Sequence, residues 1–183
     1  MVPRWAVSLL LYTMPDPKPL TIRPATAADI PFMMNLERSY PTAAHWSEQQ
    51  YRQLFETSGT GSERLVLVIR GTGATAADSS TGDRGETLLG FLVARRVVSE
   101  WELQNIVVAP RRKGCGQRLL DALLVHAAHT NSDSIVLEVR ESNAAARALY
   151  HKAGFRQTGQ RKSYYTNPTE DAILYARNLS SNS

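Results

Sequence analysis

Apolar residues recur along this chain with two periods, near two and near 3.6, and the period switches repeatedly. Leu20 to Arg23 reads as a short strand. Thr26 or Asp29 can then cap a helix carrying Ile30, Met33, Met34, Leu36 and Glu37. Ser47, with two glutamines behind it, can cap a shorter helix through Tyr51, Leu54 and Phe55. Leu65–Ile69, Leu88–Val98 and Glu102–Val108 read as three strands in succession. A helix over 116–130 places Leu119, Leu120, Leu123, Leu124, Ala127 and Ala128 on one face. Ser134–Val139 is another strand, and Ser142 or Asn143 can cap a helix through Ala153 that Gly154 ends. Tyr164-Tyr165 and Ala172–Ala176 suggest two closing strands. The order βααβββαβαββ, without an internal repeat, predicts one α/β domain.

The rest of the chain supports a single unit. At 183 residues and 43% apolar content, there is enough chain for one ordinary core. Residues 1–12 hold one arginine and a short apolar run, too short to span a membrane and without a cleavage signal. The segment 15–19, PDPKP, reads as an extended linker. We therefore expect an appendage over 1–18, a domain over 19–179 and a tail over 180–183. Residues 71–86, small and glycine-rich, read as a flexible hairpin loop. Cys115 is the single cysteine, so no internal disulfide can form and a reducing, cytoplasmic location is expected. The formal charge of +4 does not demand a nucleic-acid partner.

Chemistry concentrates between Leu103 and Gly116. Ile106-Val107-Val108 runs to Pro110, the basic turn Arg111-Arg112-Lys113-Gly114-Cys115-Gly116 follows, and a helix begins at once. Glycines let a backbone approach a ligand closely, and a helix N-terminus offers N–H groups and partial positive charge to a pyrophosphate. A Walker loop is absent, and Leu119 stands where a dinucleotide fingerprint needs its third glycine. The spacing RxxGxG alone leaves two readings, a pyrophosphate loop or an ordinary basic turn. Cys115 reads as a small residue that fits the turn. His126 and His129 share a helix face without a third ligand, and read as a solvated pair rather than a metal site.

The second half of the chain is more specific. Leu137 to Phe155, LEVRESNAAARALYHKAGF, resembles the signature of the RimI-type ribosomal-protein-alanine N-acetyltransferases of the GNAT superfamily. Leu103 to Pro110 is similar to the family's LxNIxVxP, His45 to Glu48 to its PWSE, and Ser163-Tyr164-Tyr165 with Glu170-Asp171-Ala172-Ile173 to its NYY and EDAI. The resemblance spans roughly residues 20–178. It departs in a loop two residues shorter before Gly114, in an insertion at 41–44, and in the extra segments 1–18 and 71–86.

The resemblance implies an acetyltransferase fold, a mixed and mostly antiparallel sheet flanked by helices. It implies acetyl-CoA as co-substrate and no metal. Ile106, Val107 and Val108 would offer backbone groups to the pantetheine arm. Arg112, Lys113, Gly114, Cys115, Gly116 and Gln117 would hold the pyrophosphate, and Asn143 would bind from the next helix. Periodicity alone leaves Glu138 a solvent-facing strand residue and Tyr150 a core aromatic. The family pattern makes Glu138 the general base, activated by burial beside Leu137 and Val139, and Tyr150 the general acid. Glu102, one strand over, is the rival base. The implied acceptor is the N-terminal alanine of a small-subunit ribosomal protein, bound by a monomer or weak dimer without nucleic acid or membrane. Other protein N-termini, a lysine, a small amine, or a CoA-binding module without turnover are the alternatives.

Overall fold

The computed structural model describes residues 20–40, 43–56, 63–71, 87–109 and 114–179. The expected appendage, most of the 71–86 loop, the 180–183 tail and the basic residues Arg111, Arg112 and Lys113 lie outside them. The elements are Thr21–Pro24 (β1), a 3-10 turn over Ala27–Asp29, Ile30–Arg38 (α1), Glu48–Gln53 (α2), Arg64–Gly71 (β2), Thr87–Val97 (β3) and Glu100–Val108 (β4). Cys115–His129 (α3), Ser134–Arg140 (β5), Ala144–Lys152 (α4), Arg156–Thr166 (β6) and Thr169–Asn178 (β7) complete the chain. One sheet results, ordered β1-β2-β3-β4-β5-β7-β6. Every pairing is antiparallel except β4 with β5.

The caps follow the sequence. Ser47 Oγ accepts from the Gln50 N–H at 3.3 Å while Gln50 Oε1 accepts from the Ser47 N–H at 2.8 Å, a reciprocal capping box. Asn143 Oδ1 accepts from the Ala146 N–H at 3.1 Å and starts α4. Helix α2 ends two residues earlier than expected, with Leu54 at its C-cap. The last two strands are longer than expected, because β6 is an edge strand with a mostly exposed pattern that carries no apolar alternation.

The sheet separates two cores. Leu119, Leu120, Leu123 and Ala127 of α3, with Tyr150 of α4 and Phe155, pack on one face. Ile30 and Met33 of α1 and Tyr51 of α2 pack on Val66, Val68, Phe91 and Val93 of the other. Strands β2 and β3 are buried on both faces, which explains their unbroken apolar runs. Ala128, expected on the α3 stripe, is exposed.

Strand β4 changes face midway. Val93 pairs with Asn105 and Ala94 with Leu103, so Gln104 is an extra, bulged residue. Trp101 and Leu103 point into the α3 core, but past the bulge Val107 joins the α1 core and Ile106 and Val108 turn to the α3 side. Pairing of β4 with β5 ends at the same place, at Leu103 opposite Leu137, while β5 goes on to pair with β7 as far as Arg140. The two central strands part there and open the sheet.

Candidate active site

Two cavities border this opening. The first, about 320 Å³, is bounded by Ile106, Val107 and Val108 of β4, Gly116 of α3, and Asn143, Ala145, Ala146 and Leu149 around α4, with Tyr40 and Ala43 across from them. Among the described residues, the β5-facing edge of β4 has no strand partner past Leu103. Gly114 caps α3 at φ 91°, a left-handed conformation that glycine adopts without steric cost, and it has no side chain to cover the helix N-terminus. A Cβ on Gly116 would lie 2.9 Å from Leu149 Cδ2, so this glycine lets α3 and α4 close on one another. Tyr40 donates its hydroxyl to the Val108 carbonyl at 2.6 Å and ties the end of β4 to the end of α1. Burial raises its phenol pKa, which keeps that donor protonated.

The sequence-predicted cofactor residues Ile106, Val107, Val108, Gly116 and Asn143 therefore come together, with Gly114 and Gln117 at the mouth of α3. Asn143 both caps α4 and lines the cavity. The Cys115 side chain is buried in the α3 core, so only its backbone can face a ligand. Arg112 and Lys113 lie outside the described residues.

The second cavity, about 550 Å³, is a groove on the sheet face that α1 and α2 leave uncovered. Glu102, Leu103 and Gln104 of β4, Glu138 of β5, Arg161, Tyr164 and Tyr165 of β6, and Ala44 border it. Glu138 Oε1 lies 3.2 Å from an Arg161 nitrogen, and Tyr164 borders the same groove. The Tyr164 pKa is raised, chiefly by the carboxylate of Glu138. Its side chain is 30% exposed, on the face opposite Leu137 and Val139. The expected burial between those two residues is not found, because period two sends them to the α3 side. Glu102 is held by Arg95 at 2.5 Å.

Tyr150 stands one layer in from both cavities, 5.9 Å from the Phe155 ring and 6.2 Å from Tyr175. Burial raises its pKa strongly, with a smaller push from Tyr165, so the phenol keeps its proton. His126 packs on Trp101 at 5.0 Å, and His129 Nδ1 lies 2.8 Å from the Val125 carbonyl. Neither reaches the opening.

Sequence reasoning missed a buried network behind β4. Glu37, 1% exposed, accepts from the Trp46 N–H at 3.0 Å, the Tyr51 hydroxyl at 3.0 Å and Asn105 Nδ2 at 2.7 Å. The signal was present: Glu37 falls seven residues after Ile30, on the apolar stripe of α1. Tyr40 and Arg161 gave no such signal, since both act across long sequence separations.

A family model described as Acetyltransferase (GNAT) family matches residues 30–155. The [ribosomal protein bS18]-alanine N-acetyltransferase of Escherichia coli is 32% identical over 164 residues, covering 87% of this chain and 98% of the relative. The Haemophilus influenzae protein of the same name is 38% identical over 94 residues, 49% of this chain and 64% of its own length. The crystal structure of the Escherichia coli ribosomal-protein-S18-alanine N-acetyltransferase superposes with a TM-score of 0.70 at 29% identity, over 90% of this chain and 97% of that one.

Proposed function

This chain belongs to the acetyltransferase (GNAT) family and has its fold, and from that premise we propose that it is a RimI-type Nα-acetyltransferase acting on the N-terminal residue of a protein, an alanine of a small-subunit ribosomal protein in the first instance. One observation carries the reading. Residues 103 and 104 of β4 border the groove, residues 106–108 border the cleft, and Ala43 and Ala44 face one cavity each. Ligands entering from opposite faces of the sheet meet at the opening. That arrangement suits direct transfer between two bound substrates.

The cleft fits acetyl-CoA. It is narrow and largely apolar, with an unpaired strand edge and a helix N-terminus at its mouth. The backbone of Ile106–Val108 holds the pantetheine arm, the N–H groups at 114–117 take the pyrophosphate, and Asn143 orients the arm from α4. The bound co-substrate supplies an acetyl thioester. An α-amine has a reference pKa near ~7.7–8.0 against ~10.4 for lysine, so one carboxylate suffices to strip its ammonium. Glu138 accepts that proton, the freed amine nitrogen bonds to the acetyl carbon, and the second proton the nitrogen sheds passes to solvent as the carbon–sulfur bond breaks. Tyr150 keeps its own proton at neutral pH and supplies it to the departing sulfur. Glu102, tied to Arg95, orients the acceptor.

Ala43 and Ala44, small residues at an insertion, favour an acceptor range broader than one ribosomal protein. The test of the mechanism is Glu138→Gln. Turnover of an alanine-terminated peptide falls about 10²- to 10⁴-fold, the range for a lost general base, and acetyl-CoA affinity is kept. Unchanged turnover would remove Glu138 from the role.

A further inference from the structure

Glu138 already has a cation on it. Arg161 reaches it from β6, two strands away, because β7 lies between β6 and β5. The register explains how. Glu138 stands opposite Leu174, and Leu174 opposite Gly159; one row on, Arg140 and Arg161 flank Ala172. Two strand spacings amount to about 9.5 Å, within the reach of an arginine laid diagonally over a residue as small as alanine. Tyr164 supports the side chain, with the guanidinium carbon 5.4 Å from its ring centroid.

The other charges around Glu138 are engaged elsewhere. On β3 and β4, Arg95 holds Glu102 at 2.5 Å. On β5, Arg140 pairs with Glu170 at 3.2 Å and lies 4.1 Å over the Tyr165 ring. On β6, Lys162 pairs with Asp171 at 2.6 Å. Among the described residues, Arg161 has its ion pair with Glu138, and its side chain is 55% exposed. Such a half-open, solvent-screened pair is weak enough for a ligand to break.

An ammonium that gives its proton to Glu138 must come within hydrogen-bond distance of this carboxylate. We infer that Arg161 is the resident counter-ion of the acceptor site, a positioning residue that holds the Glu138–Tyr164 wall until the acceptor's α-ammonium displaces it. The inference rests on Glu138 being the proton acceptor. Acceptor binding is then an exchange of one cation for another, and part of the peptide's binding energy goes into breaking the resident pair.

The experiment compares Arg161→Gln and Arg161→Lys with the wild type, using an alanine-terminated hexapeptide as substrate and its desamino analogue, which lacks the ammonium, as inhibitor. In Arg161→Gln the peptide KM falls about two- to fivefold, the fold-change of one exposed ion pair. The kcat, the acetyl-CoA KM and the inhibition constant of the desamino analogue stay at their wild-type values. Arg161→Lys restores the wild-type peptide KM. A higher or unchanged peptide KM in Arg161→Gln overturns the inference, and so does an equal shift for both peptides, which would mark a packing effect. Glu138→Gln run alongside separates the two levels. If it turns over normally, the reading of Glu138 fails; if it is slow while Arg161→Gln behaves as wild type, only the role of Arg161 fails.

Discussion

Replacing Glu37 by alanine tests how the open end of β4 is held. The carboxylate is buried and takes three hydrogen bonds from groups on three different segments: Asn105 of β4, Tyr51 of α2 and the Trp46 backbone. Burial and then the Glu37 charge raise the Tyr51 pKa, so that phenol remains a donor. Each buried donor stranded without an acceptor costs about 1–3 kcal/mol, and water entering the vacated space returns part of it. We expect Glu37→Ala to lose about 3–5 kcal/mol, a fifth or more of the ~5–15 kcal/mol of a typical domain. Glu37→Gln keeps the volume and one acceptor, and the Asn105 amide can turn to meet its new donor; it should lose about 1–2 kcal/mol. Urea unfolding at constant m value reads both numbers. Asn105 adjoins the Gln104 bulge, so the KM for both substrates should rise in the glutamine variant more than kcat falls. A loss below about 1 kcal/mol for alanine, or equal losses for alanine and glutamine, would refute the network's role.

Gly116→Ala drives a Cβ toward Leu149 Cδ2, the tip of a flexible side chain; calorimetry should show acetyl-CoA affinity weakened about three- to tenfold, at a stability loss of about 1 kcal/mol. Val98 turns β3 into β4 at φ 57°, 92% exposed; asparagine, which tolerates that conformation, should raise stability by about 1 kcal/mol and Tm by about 2–4 °C in a melting scan. Burial raises the folded-state pKa of Tyr150 above its unfolded value near ~10, so its contribution to stability is complete below pH ~10 and is lost as pH rises beyond. Tyr150→Phe should flatten that alkaline loss in denaturant midpoints, and should slow kcat by about 10- to 100-fold at neutral pH.

Much of the fold was legible because its local signals agree with one another. The apolar runs of β2 and β3, the α3 stripe and the caps at Ser47 and Asn143 each name one element, and the motifs at 103–116 and 137–155 name the cleft. The groove was less legible. The Gln104 bulge reverses the alternation of β4, so periodicity alone puts Asn105 and Val107 on the wrong face. Glu138 was expected between buried neighbours, yet it belongs to the other face, and its partner Arg161 comes from a strand that is not adjacent. Contacts of that kind depend on strand order and register, which local pattern does not encode.

In the proposed reaction an α-amine and acetyl-CoA meet through the opening between β4 and β5. The most direct measurement incubates the protein with acetyl-CoA and two peptides, one with a free N-terminal alanine and one blocked at its N-terminus with an internal lysine, and locates the acetyl group by fragment-ion mass spectrometry. Acetylation of the first peptide alone, at its α-nitrogen and with release of free thiol, is expected. Acetyl on the lysine of the blocked peptide, or no transfer to either despite tight acetyl-CoA binding, would contradict it.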